Sequence, residues 1–399
     1  MNDASHSRSR TSNQLRMNSH HYYPKGGARS SSITRSPAAI PAEGVSSPPV
    51  RRIAFNSHIQ PAVSSSNPSS NNRQKNDSAS ELMMKSIPAP QFFAGLKTRE
   101  YREHRSSNHS HTSIRSIAWN ILGNRIACGL TDKLVRVWNP EKPEIRNSTE
   151  LKGHSMGVDR VAWDPTHADK LVSCGGDGIV RFWDYRSNKC LGITSTSGEN
   201  ISLAYHPEGS VVAVGTKDDK IHFIDPRNTS QILKTHKEGT QTNQIIFSHS
   251  GDTLLLTTGQ GHVVLRDWPS LEHVYTVEAH SSGAFCLELD PRGSTLAVGG
   301  SDAVVSVWDT KEWICQRTLR NMESPVRNLS ISFDGAYICA GSDEPGAVNI
   351  DIANLDTGEH VYTVPTSHPV PNVAWHPNKY WLAYSGDPLG LKIVGAAGP

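Results

Sequence analysis

A unit of about 42 residues recurs along the chain from residue 110 onward, and this period constrains the fold more than any other feature. Each copy contains a short apolar run that ends at a marked position just before a turn. The marked residues are Trp119, Trp163, Tyr205, Phe247, Leu289, Ile331 and Trp375. The intervals between them are 44, 42, 42, 42, 42 and 44 residues. Seven copies at a near-constant spacing indicate a repeat architecture in which each copy forms one structural unit.

Each copy is predicted to form four short β-strands. In the second copy, the segments VDRVAWD, KLVSCGG, IVRFWD and KCLGITST alternate in polarity, and Gly, Asp and Asn punctuate the turns. The third segment ends in Trp-Asp, which is typical of WD40 repeats. The sequence therefore predicts an all-β fold, a seven-bladed WD40 β-propeller with a disordered N-terminal extension.

The stretch GENISLAYHPEGSVVAVGTKDDKIHFID departs most from this pattern, because it contains neither a Gly-His nor a Trp-Asp pair. Its phase is nevertheless regular. Asp218 precedes Ile224 by six residues, just as Asp177 precedes Trp183 in the second copy. We therefore assign the stretch to blade three, with Ile224 in the position of the tryptophan, and we expect its charged turn to face outward.

The last copy, PNVAWHPNKYWLAYSGDPLGLKIVG, supplies only three strands, so closing the ring requires a fourth strand from elsewhere. The segment KTREYREH, residues 97–104, lies just ahead of the first blade and is the candidate. We therefore divide the chain into an arm, residues 1–90, and a propeller, residues 91–399. Residues 97–104 are expected to complete blade seven.

Residues 1–90 are rich in Ser, Asn, Pro and Arg, and they are predicted to form a disordered basic arm. They contain 11 Lys and Arg and 4 Asp and Glu, a net charge of +7. Residues 91–399 contain the other 29 Lys and Arg and 34 Asp and Glu, a net charge of −5. The arm is consistent with a weak RNA tether, a nuclear-targeting or phosphorylated segment, or a solvated tail without a dedicated role. The acidic propeller is not expected to grip nucleic acid by itself.

Sequence motifs favour a reducing compartment and no bound cofactor. The cysteines are scattered without a CxxC pair, which suits the nucleus or the cytosol; they are Cys128, Cys174, Cys190, Cys286, Cys315 and Cys339. No apolar run approaches 18 residues, and no secretory signal precedes the repeats, so we expect no membrane association. Nucleotide-binding glycine motifs and HExxH are absent, so neither a metal nor a small-molecule substrate is expected.

His154, Ser173, Asp177 and Trp183 allow two interpretations. They could form a hydrolase triad, or a structural network in which the aspartate orients the histidine, and the serine links the histidine to the indole. We favour the structural network, and no enzymatic activity, because parts of the set recur elsewhere. The recurring members are His280, Asp302 and Trp308 in blade five, and Asp132 and Trp138 in blade one.

Two blades are expected to carry only part of the network. In blade five Val298 stands at the serine position, so the network should end there. In blade four Gln260 replaces the aspartate and Arg266 the tryptophan.

Several segments resemble the THO complex subunit 3 family of WD40 proteins. They are TREYREH, the blade-three stretch, WPSLEHVYTVEAHSSGAFCLELDPRGSTLAVGGSDAVVSVWD, SPVRNLSISFDG, VNIDIANLDTG and VAWHP. The resemblance spans about residues 95–394 and implies a nuclear, non-catalytic scaffold of the THO/TREX assembly, acting in transcription-coupled mRNP assembly and mRNA export. Implied partners are the large α-helical THO subunits, and a DEAD-box RNA helicase and an mRNA export adaptor within TREX. The rim residues that it implies are Glu199, Asn200, Lys217, Asp218 and Asp219.

One other binding function stays open from the repeats alone. The chain could be a different nuclear WD40 adaptor, such as a subunit of a chromatin-modifying complex or a substrate receptor of a ubiquitin ligase.

Overall fold

The computed structural model describes residues 87–102, 113–142, 144, 147–385 and 390–395. Residues 1–86 of the predicted disordered arm lie outside the described residues. Residues 103 and 104 of the expected closing segment also lie outside them. The described residues therefore comprise the repeats and the short segment that leads into them.

Seven antiparallel sheets of four strands form the described part of the chain, which confirms the prediction of an all-β, seven-bladed propeller. The segment before the repeats contains a helix, α1 (Ala89–Ala94), and a strand, β1 (Lys97–Arg102). Blade one contains β2 (Ile114–Trp119), β3 (Ile126–Leu130), β4 (Leu134–Trp138) and β5 (Thr149–Lys152). Blade two contains β6 (Val158–Trp163), β7 (Lys170–Gly175), β8 (Ile179–Asp184) and β9 (Lys189–Ser195).

The next three blades follow the same order from inner to outer strand. Blade three contains β10 (Asn200–Tyr205), β11 (Val212–Thr216), β12 (Lys220–Asp225) and β13 (Asn228–Lys237). Blade four contains β14 (Thr242–Phe247), β15 (Thr253–Thr258), β16 (His262–Asp267) and β17 (His273–Glu278). Blade five contains β18 (Ala284–Leu289), β19 (Thr295–Gly300), β20 (Val305–Asp309) and β21 (Cys315–Leu319).

Blades six and seven complete the ring. Blade six contains β22 (Asn328–Ile331), β23 (Tyr337–Gly341), β24 (Asn349–Asn354) and β25 (His360–Pro365). Blade seven contains β26 (Val373–Trp375), β27 (Leu382–Tyr384) and β28 (Gly390–Gly395), and its outer strand is β1. β1 pairs with β28 antiparallel, from Lys97 opposite Gly395 to Arg102 opposite Gly390. Two distant parts of the chain therefore share this blade.

Blade three has the predicted phase. β12 ends at Asp225 and pairs with β11 through Ile224 and Val212. The Ile224 side chain is fully buried, like Trp183 in blade two. The smaller apolar residue therefore fills the tryptophan position without loss of the four-stranded sheet.

The core lies between neighbouring blades rather than within one sheet. Val135 of blade one, for example, packs in one cluster with Val158 and Trp163 of blade two, and burial of each such side chain contributes about 1.5–3 kcal/mol. Hydrogen bonds join the same interfaces along the inner strands: the Val161 N–H donates to Ser116 Oγ at 3.2 Å. Each blade therefore depends on its neighbours for both apolar and polar contacts.

The helix α1 was not predicted from the sequence. It buries Phe93, whose ring meets Tyr337 edge-on at 5.1 Å and lies 6.1 Å from Trp375. The helix thus packs on blades six and seven, and a boundary at residue 90 would cut through it. No helix within the described residues is long and apolar enough to cross a bilayer.

Candidate interaction surface

Blade two joins its four predicted network residues by a chain of hydrogen bonds. His154 Nδ1 lies 2.9 Å from Asp177 Oδ2, and His154 Nε2 lies 2.8 Å from Ser173 Oγ. The indole N–H of Trp183 donates to the same Ser173 Oγ at 2.8 Å. Burial lowers the pKa of His154 although Asp177 opposes this, so the imidazole is neutral and the serine hydroxyl donates to Nε2.

The aspartate of this network stays ionised. Burial alone would raise the pKa of Asp177, but the backbone N–H of Ser155 and the side chain of His154 outweigh burial, and the pKa is lowered. The side chain of Asp177 is only 2% exposed, so its charge needs these partners. Ser173 has no solvent exposure, and its hydroxyl is bonded on both sides. The Ser173 hydroxyl is therefore enclosed between the imidazole and the indole, without exposure to solvent.

Blade five repeats the network in full, so the expectation that it ends at Val298 is wrong. His280 Nδ1 lies 3.0 Å from Asp302 Oδ2, and Ser306 Oγ lies 3.0 Å from His280 Nε2 and accepts the Trp308 indole N–H at 2.8 Å. Ser306 is the cross-strand partner of Val298. The hydroxyl has therefore moved to the opposite strand of the same pair and reaches the same place between imidazole and indole.

Blade one does not bring its two residues together. Trp138 is buried, with the ring of Tyr101 edge-on at 5.7 Å, whereas Asp132 is exposed and accepts the backbone N–H of Leu134. Among the described residues no hydrogen bond joins Asp132 to Trp138, and the residues just ahead of 113 lie outside the description.

Blade four uses an ion pair that sequence analysis missed. Arg266 lies at the tryptophan position as predicted, and its Nη2 donates to Glu238 Oε2 at 2.7 Å. The Glu238 side chain is 6% exposed and that of Arg266 16%. Glu238 precedes Phe247 by nine residues, as His154 precedes Trp163. That spacing was the signal from which the pair could have been found. In blade four a carboxylate takes the place of the histidine, and a guanidinium takes the place of the indole. Gln260, at the aspartate position, is exposed.

The candidate rim of blade three is only partly accessible. Glu199 and Lys217 form an exposed ion pair at 3.2 Å, with side chains 52% and 70% exposed. Hydrogen bonds from Lys220 and Thr216 lower the pKa of Asp218, which is also exposed. These charged side chains remain available to a partner.

Asn200 differs from the expectation for the rim, whereas Asp219 lies in the predicted turn. Asn200 is fully buried, and its side-chain amide donates to the carbonyls of Gly175 and Ile179 in blade two, so its inclusion in a partner-binding rim is wrong. Asp219 has φ 61°, the left-handed conformation that Asp tolerates better than most side chains. The geometry of the turn thus accounts for an aspartate there.

Side chains near this rim form a second polar cluster. Ser197 Oγ lies 3.0 Å from His222 Nε2 and 3.1 Å from Asp218 Oδ2, and His222 Nδ1 lies 2.9 Å from Thr235 Oγ1. Burial lowers the pKa of His222. The described residues include no group of three or more His, Cys, Asp and Glu suited to a metal ion.

Loss of the linking hydroxyl is expected to cost stability in both complete networks. Ser173→Ala and Ser306→Ala should each lower the free energy of unfolding by about 1–3 kcal/mol, because the imidazole and the indole lose their common partner. Both rings are buried in blade two, whereas Trp308 of blade five is half-buried, so the loss should be the larger for Ser173→Ala. Urea denaturation measures both. The double variant Ser306→Ala/Val298→Ser returns a hydroxyl from the facing strand and should recover part of the loss. Equal stability of Ser306→Ala and the unaltered protein would contradict this account.

Seven four-stranded blades, two complete His–Ser–Trp networks and a charged rim define a WD40 β-propeller, a class that presents rigid surfaces to other proteins. The family profile described as the THOC3 beta-propeller domain matches residues 109–385. THO complex subunit 3 of Arabidopsis thaliana is 39% identical over 297 residues, 74% of this chain and 91% of that protein. The chain therefore belongs to the THO complex subunit 3 family.

Two further similarities are broader. WD repeat-containing protein AAC3 of Dictyostelium discoideum is 30% identical over 322 residues, 74% of this chain and 65% of that protein. The crystal structure of the Cps50 (Swd1) β-propeller domain of Myceliophteria thermophila superposes with a TM-score of 0.65 at 20% identity. The superposition covers 76% of this chain and 100% of that domain. At 20% identity this similarity supports the assignment of the fold and carries no information on function.

Proposed function

We propose that the protein is a non-catalytic scaffold subunit of the THO complex and acts within TREX in nuclear mRNP assembly and mRNA export. The observation that carries this proposal is the 39% identity to a THO complex subunit 3 across 91% of that protein. The similarity spans 297 residues, far beyond a single repeat. The related protein and this chain are therefore similar over a length close to that of a whole propeller.

The buried networks support a scaffold rather than an enzyme. The Ser–His–Asp set of blade two has its serine fully buried, and the same set recurs in blade five with the serine on another strand. A catalytic triad needs one accessible nucleophile, whereas a structural link can recur in several blades.

We propose the large α-helical THO subunits as direct partners, with a DEAD-box RNA helicase and an mRNA export adaptor joined through the assembly. The exposed charges Glu199, Lys217 and Asp218 are the proposed contact points of blade three. Charged side chains at a rim steer association and select partners more than they supply affinity, which suits an adaptor.

Affinity purification of the tagged full-length chain from nuclear extract tests this proposal. The large THO subunits should be recovered with the unaltered protein, and Lys217→Glu should weaken their recovery. Lys311→Glu is the matched control, because it makes the same charge change at an exposed turn in blade five. Recovery of a histone-modifying or ubiquitin-ligase complex without large THO subunits would contradict the proposal.

A further inference from the structure

A groove runs between the outer parts of blades one and two. Its larger section has a volume of about 710 Å³ and its smaller section about 190 Å³, and both are lined by Thr149 and Tyr185. The two sections therefore adjoin and form one elongated depression on the circumference of the propeller.

The edge of β5 forms one wall of this groove. Ser148 directly precedes β5, and Thr149 and Glu150 are its first two residues; all three line the groove. Since successive side chains of a strand point to opposite faces, a groove that touches consecutive residues runs along the strand edge. β5 is the last strand in the order β2-β3-β4-β5, so its outer backbone groups have no strand partner within the described residues.

The lining is strongly cationic. Arg125, Lys142, Lys152 and Arg186 line the groove, and Glu150 is the one carboxylate among its lining residues, so the net charge of the lining is +3. The Glu150 carboxylate is already engaged by Lys152 Nζ at 3.0 Å and by the adjacent Arg136 at 2.7 Å. The groove therefore favours an anionic occupant.

The aromatic residues of the groove are both engaged by neighbouring side chains. Trp183 is 2% exposed and its indole N–H is bonded to Ser173. The Tyr185 ring is covered by the Arg125 guanidinium at 5.5 Å and meets Trp163 edge-on at 5.6 Å. Because single-stranded nucleic acids are held largely by base stacking on exposed aromatic rings, the groove is poorly suited to them.

We propose that this groove binds an extended acidic peptide of a partner protein, which pairs with β5 as a fifth strand of blade one. β5 has four residues, which correspond to a paired length of roughly 13 Å. Main-chain hydrogen bonds to the strand edge supply affinity in such additions, and side-chain contacts supply specificity. Here the specificity comes from carboxylates of the peptide at Lys142 and Arg186. This binding site goes beyond the proposed function and does not depend on it.

Fluorescence anisotropy with the purified full-length chain tests this inference. The probe is a short labelled peptide of alternating Glu and Val, and it should bind, whereas the matching Lys-Val peptide should not. A Glu-Val peptide with alternate N-methylated residues keeps the charge but cannot pair along the strand, and it should bind more weakly. Lys142→Glu together with Arg186→Glu should weaken binding of the Glu-Val peptide about tenfold, since each change replaces an attraction by a repulsion.

Two controls make the outcomes decisive. Lys311→Glu in blade five should leave the dissociation constant unchanged, and thermal unfolding should show that the double variant is folded. No saturable binding of the Glu-Val peptide, or equal binding of its N-methylated form, would overturn the inference. Tighter binding of an oligouridylate that the same two changes abolish would also overturn it, in favour of a nucleic-acid site. The assay needs no THO subunit, so its failure leaves the proposed function standing.

Discussion

Removal of residues 1–102 is expected to abolish cooperative folding of the propeller. The deletion removes β1, which pairs with β28 over six residue pairs, and leaves blade seven with three strands and an open edge. It also removes Phe93 and Tyr101, which are 1% and 0% exposed. Thermal unfolding followed by circular dichroism should show a sharp transition for the full chain and none, or a strongly lowered one, for the truncated chain.

Two further variants separate closure of the ring from loss of the arm. Deletion of residues 1–86 keeps α1 and β1 and should leave the melting temperature unchanged. Tyr101→Ala should cost about 3–5 kcal/mol, the usual cost of truncating a buried aromatic side chain. Tyr101 donates its hydroxyl to the carbonyl of Pro140 and packs on Trp138, so it joins blade seven to blade one. An unchanged melting temperature after removal of residues 1–102 would refute this role of β1.

The architecture could be predicted because its signals are local. Turn residues, alternating polarity and the spacing of about 42 residues are all read from short windows, and they hold even where signature residues differ. Ile224 illustrates this: its position in the repeat, rather than its chemistry, places it in the buried tryptophan position of blade three.

Polar contacts between strands were harder to predict, because they depend on which residues face each other. Val298 and Ser306 are eight residues apart but are direct neighbours across two strands, so either can supply the hydroxyl. Glu238 and Arg266 are 28 residues apart and form an ion pair. They stand where other blades have a histidine and a tryptophan, so the residue type differs at both positions. Only the three-dimensional register shows that these exchanges compensate one another.

The direction of a single side chain was also beyond sequence analysis. Asn200 lies beside the charged Glu199 at the start of β10, where an irregularity in register occurs before Ser202. Its amide lies against blade two, whereas the Glu199 side chain is exposed. Alternation along an ideal strand does not describe such a position, since a local bulge changes which face a side chain takes.

Breaking the Glu238–Arg266 pair is expected to be strongly destabilising. Arg266→Ala removes the guanidinium from the Glu238 carboxylate, 6% exposed, and leaves beside it only His236 Nε2 at 3.2 Å, on an imidazole whose pKa burial lowers. Since an uncompensated buried charge is costly, the free energy of unfolding should fall by about 3–5 kcal/mol. Urea denaturation measures the loss, provided that the slope of the transition is unchanged.

A double variant and a surface pair test whether burial is the cause. Glu238→Leu/Arg266→Met removes both charges and should recover most of the stability, because well-packed apolar side chains often replace a buried ion pair at little cost. Arg115 pairs with Asp159 at the surface, with side chains 48% and 23% exposed, and Arg115→Ala should cost only about 0–1 kcal/mol. If Arg266→Ala were no more destabilising than Arg115→Ala, blade four would not depend on this ion pair, and the apolar packing around β16 alone would hold it.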